Sequence, residues 1–241
     1  MFADPPAGQW FVANDGQRWW FDSGSIALDF AYTGGFAGPP EWEQWHEPKD
    51  TANWWRERFG VDVPVSAASY ARARELRGAI AEAVVATAHD RPVPDEVAAI
   101  IDEWAARPDV PPQLRHEHPI TSDRLLATIA RDAVAALRQT DRVRVCGADD
   151  CAVMYLDTSR SGNRTWCSMQ RCGNRHKVRA LRSRRAASAT TTDSEQQQGQ
   201  ENDSDSHSHQ PRRSAQEPCL LSGRARDRRF APRRRRTTGH R

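Results

Sequence analysis

The sequence predicts a mainly α-helical protein that continues into a small cysteine-rich module and a disordered tail. Three observations carry that expectation. Apolar stripes of helical period run between capping residues up to about residue 140. Four cysteines are symmetrically spaced between Cys146 and Cys172. The composition changes near residue 186, where low-complexity and Arg-rich runs begin.

Residues 1–24 hold Trp, Gly, Asp and Pro without a clear period, and read as an irregular lead-in with a short strand near Trp19, Trp20 and Phe21. Ile26, Phe30 and Thr33 can share one helical face, which Gly34 and Gly35 end. A Pro- and Trp-rich loop follows. Asp50 is then placed to cap a helix from Thr51 to Phe59, with Gly60 as its C-terminal stop. Ser66 caps the next helix, to about His89, whose stripe is Ala73, Leu76, Ile80, Ala83 and Val84. A helix starting at Asp95 or Glu96 presents Val97, Ile100, Ile101 and Trp104. Another, capped by Thr121 or Ser122 and running to about Arg138, presents Leu125, Leu126, Ile129, Ala133 and Val134. Residues 109–120 read as an extended connection. The expected division is a helical domain at 15–140, a cysteine module at 141–185 and a disordered basic tail at 186–241.

The net charge of +3 conceals an asymmetry. Residues 1–140 carry 13 Lys and Arg against 21 Asp and Glu, and residues 141–241 carry 22 against 11. An acidic body joined to a basic end suits a sensing unit coupled to an anion-binding one. No apolar run is long enough to span a membrane, and the N-terminus lacks a signal-peptide pattern. A cytosolic setting is therefore expected, where cysteines serve as metal ligands or free thiols before disulfides.

The cysteine spacing is C-x4-C-x15-C-x4-C, through Cys146, Cys151, Cys167 and Cys172. Four thiolates complete a closed tetrahedral shell, so the pattern predicts one structural Zn²⁺. Strands are expected at Arg142–Val145 and Val153–Leu156, with Ser168 capping a helix that runs from Cys172 to about Arg185. A knuckle, a hairpin and a helix whose start donates the last ligands form a treble-clef-like zinc finger. Cys219 is out of register with both pairs, and His176 meets a shell already full.

Leu156-Asp157-Thr158-Ser159-Arg160, Trp166-Cys167-Ser168-Met169 and Cys172-Gly173-Asn174-Arg175 make residues 141–185 similar to the CGNR zinc finger. Ala27-Leu28-Asp29-Phe30 and Arg74-Glu75-Leu76-Arg77 make the preceding region resemble an ABATE domain. The resemblance implies a bacterial transcription regulator whose finger binds DNA.

Within the expected helix, Arg171, Arg175, Arg179 and Arg182 recur on one face. With Lys177 and Arg185 they are the candidate nucleic-acid contacts. Arg175 has a structural alternative, an ion pair with Asp157. Val178 and Leu181 are expected to pack on the hairpin, and Trp166 to cover the zinc site. Trp19, Trp42 and Trp45 are the first candidates for a small-molecule effector pocket in the helical domain. His116 and His118 are the remaining possible chelate.

No phosphate loop, HExxH helix or nucleophile elbow occurs, so no enzyme is expected. The expected partners are DNA at the nucleoid, an effector and a second copy of the chain. Alternatives are an RNA-binding or protein-docking finger, or an enzyme site in the N-terminal domain. The Arg-rich tail, ending near Arg233–Arg236, suits either non-specific nucleic-acid attraction or out-of-frame translation of a GC-rich gene.

Overall fold

Capping residues set the helical frame in the computed structural model, which describes residues 7–12, 16–37, 42–112 and 119–196, with side chains as far as Arg185. Helix α1 (Ile26–Tyr32) starts at Ser25, whose hydroxyl accepts from the Ala27 and Leu28 amides. All seven residues of α1 are buried. Helix α2 (Pro48–Phe59) begins earlier than the sequence suggested, because Pro48 fits a first helical turn. Glu47, and not Asp50, is therefore the N-cap; Asp50 lies in the first turn and reaches back, its carboxylate accepting from the His46 and Glu47 amides at 2.7 and 3.0 Å. Gly60 ends α2 in the left-handed region at φ 66°. Ser66 and Thr121 cap α3 (Ala67–Ala88) and α5 (Ser122–Leu137), and α4 (Asp95–Ala106) lies between them.

The core sits where α1, α3 and α5 meet. Phe30, Trp55, Leu76, Ile80, Leu125 and Ile129 fill it. Trp45 closes one side, against the rings of Phe30, Trp54 and Trp55. Beside it, the Arg77 guanidinium lies 5.1 Å from the Trp45 ring and donates to both oxygens of Glu43, at 2.8 and 2.5 Å. Burial pushes the Glu43 carboxyl up, but the Arg77 hydrogen bonds, the Trp45 amide and the charges of Arg77 and Arg74 together outweigh it and hold the group below its usual range.

The N-terminal lead-in is more regular than expected. Strands β1 (Gln9–Val12) and β2 (Arg18–Phe21) form an antiparallel hairpin that pairs Trp10 with Trp20. Strand alternation turns Phe11, Trp19 and Phe21 inward. A second antiparallel pair, β3 (Val143–Val145) and β4 (Met154–Leu156), places Val143, Met154 and Leu156 in the same core as the helices. The cysteine module is thus packed into the body.

Helix α6 (Asn174–Gln196) runs 11 residues past the expected end at Arg185. No Gly or Pro occurs between Asn174 and Gln198, and three alanines fall within 186–189, so nothing local stops the helix at 185. The rest of the expected tail, with Cys219, lies outside the described residues, as do His116 and His118.

Candidate metal centre

Cys146 follows β3 directly, and its amide donates to the Val153 carbonyl at 2.8 Å, closing the first knuckle. Within that knuckle the Cys151 amide donates to Ala148 at 3.0 Å. The loop after β4 then returns: the Gly147 amide donates to the Thr165 carbonyl at 2.9 Å, and a side chain at Gly147 would lie 2.9 Å from the Thr165 methyl. That close approach brings Cys167 beside Cys146, whose sulfur accepts from the Cys167 amide at 3.3 Å. Cys172 comes from a π-helical turn, Met169–Gly173, that opens α6. Ser168 stands at the N-cap, as expected, but its hydroxyl makes no capping bond.

These segments bring the four sulfurs within 4.8 Å of one another. Cys151 and Cys167 are 3.8 Å apart, and Cys167 and Cys172 are 3.4 Å apart. A tetrahedron with Zn–S bonds of about 2.3 Å has edges of about 3.8 Å, so the set fits one zinc ion. Three of the four cysteines are buried and Cys151 is partly so. As free thiols they must share protons: hydrogen bonds from Cys151, Cys167 and Cys172 pull Cys146 down, while Cys151 and Cys167 are pushed up. Zinc resolves that conflict by holding all four as thiolates. Four protein ligands leave no open position, so the ion is a structural one.

One charged group touches the sulfurs and two more are linked to it. Arg175 donates to the Cys172 sulfur at 3.2 Å and to Asp150 at 3.1 Å. Arg179 donates to the same Asp150 oxygen at 2.7 Å, and this bond holds the Asp150 carboxyl below its usual range. Arg175 therefore pairs with Asp150, where the sequence suggested Asp157. Asp157 is buried and organises the loop instead, accepting from the Ser159 and Arg164 amides at 2.9 and 2.8 Å. Asp150 was missed, yet a signal existed: residues 141–185 contain only four acids among 11 Lys and Arg, so each acid is a candidate partner.

The other side of the centre is the N-terminal hairpin. Phe11, Trp19 and Phe21 form one buried cluster with Tyr32, Tyr155, Cys146, Cys167 and Cys172. Arg164 ties the two parts together. It stacks 4.1 Å from the Tyr155 ring, donates to the Asp22 carbonyl at 2.8 Å and to the Trp166 carbonyl at 3.0 Å, and also reaches the Cys167 carbonyl. The Leu156 amide donates to the Ser23 carbonyl at 2.8 Å.

The proposed contact residues fall into two groups. Arg171 is 7% exposed, in the π-helical turn, with its guanidinium 5.8 Å from the Trp19 ring. The π turn adds a residue to the helical count and rotates Arg171 off the face that α-helical spacing assigned to it. Arg175 turns toward the sulfurs. Lys177, Arg179, Arg182 and Arg185 are exposed. Val178 and Leu181 are exposed too, at 47% and 42%, and do not pack on the hairpin. Trp166 stacks 4.6 Å from His176 at the edge of the site. Of the three tryptophans expected at an effector pocket, Trp19 and Trp45 are buried in the cores and Trp42 is half-buried. A cleft of about 710 Å³ lies elsewhere, between β2 and residues 158–170.

A helical body packed on a closed four-cysteine centre defines a zinc-finger protein. Residues 142–185 match the family model for the CGNR zinc finger, and residues 24–140 match ABATE, described as "Putative stress-induced transcription regulator". The two matches follow each other along the chain, ABATE first and the CGNR zinc finger second. Neither description is that of an enzyme. No curated protein matches the chain. Among the described residues, no helix is long and apolar enough to cross a membrane.

Proposed function

We propose that this chain is a zinc-dependent, DNA-binding transcription regulator whose contact element is α6. The observation that carries the reading is the charge of that helix. Asn174–Arg185 holds six Lys and Arg and no acid, and five of the six are exposed. Such a surface suits phosphate contacts, and a helix of this kind fits the major groove. The zinc centre fixes the start of the helix and takes no part in chemistry. The ABATE segment senses an effector or mediates association, and the protein acts at the nucleoid.

The test is equilibrium binding of the zinc-loaded protein to duplex DNA from 50 to 200 mM salt. Wild type should lose affinity steeply with salt, and the Lys177→Ala/Arg182→Ala protein should show a shallower log–log slope, by about 2. Selection from random duplexes, with Cys172→Ser as the control, tests sequence preference. A selection without an enriched motif rejects a sequence-specific regulator.

A further inference from the structure

The outward face of the N-terminal hairpin is unusual for a surface. Its inward residues are buried, but Trp10 is 57% exposed and Trp20 40% exposed. The two indoles meet edge to face at 5.5 Å, and the Arg18 guanidinium lies 5.1 Å from the Trp10 ring. Strand register makes this arrangement, since Trp10 pairs with Trp20 and both point away from the core.

Trp20 has a defined backing. Trp20 rests on Gly8, where a side chain would come 2.6 Å from the indole. Gly8 has φ +121°, a conformation only glycine adopts readily. Its amide donates to Asp29 at 2.6 Å and its carbonyl accepts from Arg58 at 2.5 Å. A buried carboxylate and a guanidinium thus fix the residue on which Trp20 sits.

Trp20 also forms one wall of the cleft between β2 and the finger. The same cleft is lined by Ser168, Met169 and Gln170, which lead into α6, and Met169 is 52% exposed. One indole of the pair and the turn that leads into the basic helix therefore border one open cleft. Indoles accept the face of any base, and a neighbouring arginine adds a cation that a phosphate or base can meet. With α6 read as the duplex-binding element, its positive charge beside the cleft makes nucleic acid the occupant.

We infer that Trp10, Arg18 and Trp20 are a stacking platform for unpaired nucleotides, adjoining the duplex held by α6. The inference rests on the DNA-binding reading and gives the partner a second feature: single-stranded or unstacked nucleotides next to the duplex.

The experiment compares fluorescence anisotropy of a blunt 20-base-pair duplex with the same duplex carrying a five-nucleotide overhang, using the zinc-loaded full chain. Wild type should prefer the overhang. Trp20→Ala should weaken the overhang complex about tenfold, the loss of one stacked base, and leave blunt-duplex affinity within about twofold. Trp20→Phe should retain most of the preference. Zinc content and near-UV circular dichroism confirm that each variant is folded. If wild type and Trp20→Ala bind both probes alike, the platform is overturned, the helix reading stands, and the indoles become a protein-docking surface. If wild type binds neither probe, the DNA-binding reading falls and the platform with it.

Discussion

The hydroxyl of Tyr32 donates to the Met154 carbonyl at 2.8 Å and accepts from the Met154 amide at 2.9 Å. One side chain from the last turn of α1 thereby satisfies both backbone groups of a residue in β4. Met154 lies three residues from the zinc ligand Cys151. Burial pushes the Tyr32 hydroxyl well above its ordinary value, so it remains a donor throughout the usual pH range. Tyr32→Phe removes both bonds and leaves a buried amide and carbonyl unpaired. We expect a loss of about 1–3 kcal/mol in urea unfolding of the zinc-loaded protein. A change within error would show that Met154 finds other partners.

Zinc should stabilise more than the finger, since its ligands share a cluster with Trp19 and the other hairpin aromatics. Stripping the metal with a strong chelator is expected to shift tryptophan emission to longer wavelength and expose residues 9–21 to protease. Trp19→Phe should remove much of the emission shift. An intact hairpin in the stripped protein would break the proposed coupling.

Asp150 holds Arg175 and Arg179 at 3.1 and 2.7 Å. Its neutral variant, Asp150→Asn, should weaken that hold and make Arg179 available to phosphate. Duplex affinity at 50 mM salt should rise a few-fold, and the salt slope should steepen by up to about 1. A fall in zinc retention with an unchanged slope would instead make Asp150 a support for the metal site alone.

Asp29 is fully buried, and burial pushes its carboxyl up to about 6 even though Arg58 pulls it down. One of its oxygens has no hydrogen-bond partner. Because the folded value lies above the unfolded one, the contribution is favourable in acid and is lost as pH rises through about 6. A shift of this size corresponds to roughly 3 kcal/mol. The stability of wild type relative to Asp29→Asn should therefore fall between pH 4 and pH 7. A pH-independent difference in urea midpoints would reject the assignment. Taking the difference between the two proteins removes the loss of zinc that acid causes in both.

Much of the frame was legible in the sequence because its causes are local. Ser66, Thr121 and Gly60 act within a few residues of themselves, and each does what its type predicts. The four-cysteine pattern is equally self-contained, since two short loops and one return segment suffice to bring the sulfurs together. The hairpin was half legible: β2 carried a readable aromatic run, while β1 is defined by its pairing with β2. The extension of α6 was missed because composition suggested disorder where helix propensity, without a Gly or Pro, continues the turn.

The helices, most of their caps, the metal with its four ligands, and a strongly basic helix after them could all be read from the residues in order. Which arginines face outward depends on packing. The π turn sends Arg171 under Trp19, and Asp150 draws Arg175 toward the sulfurs. Packing also decides that the finger and the helical body share a core, through Tyr32, Ser23 and Arg164. The physical reason is separation along the chain. A cap or a ligand pair is set by neighbours a few positions away, whereas Tyr32 meets Met154 across 122 residues and Arg164 meets Asp22 across 142. No periodicity or spacing encodes contacts of that length; they follow from how the packed elements lie against one another.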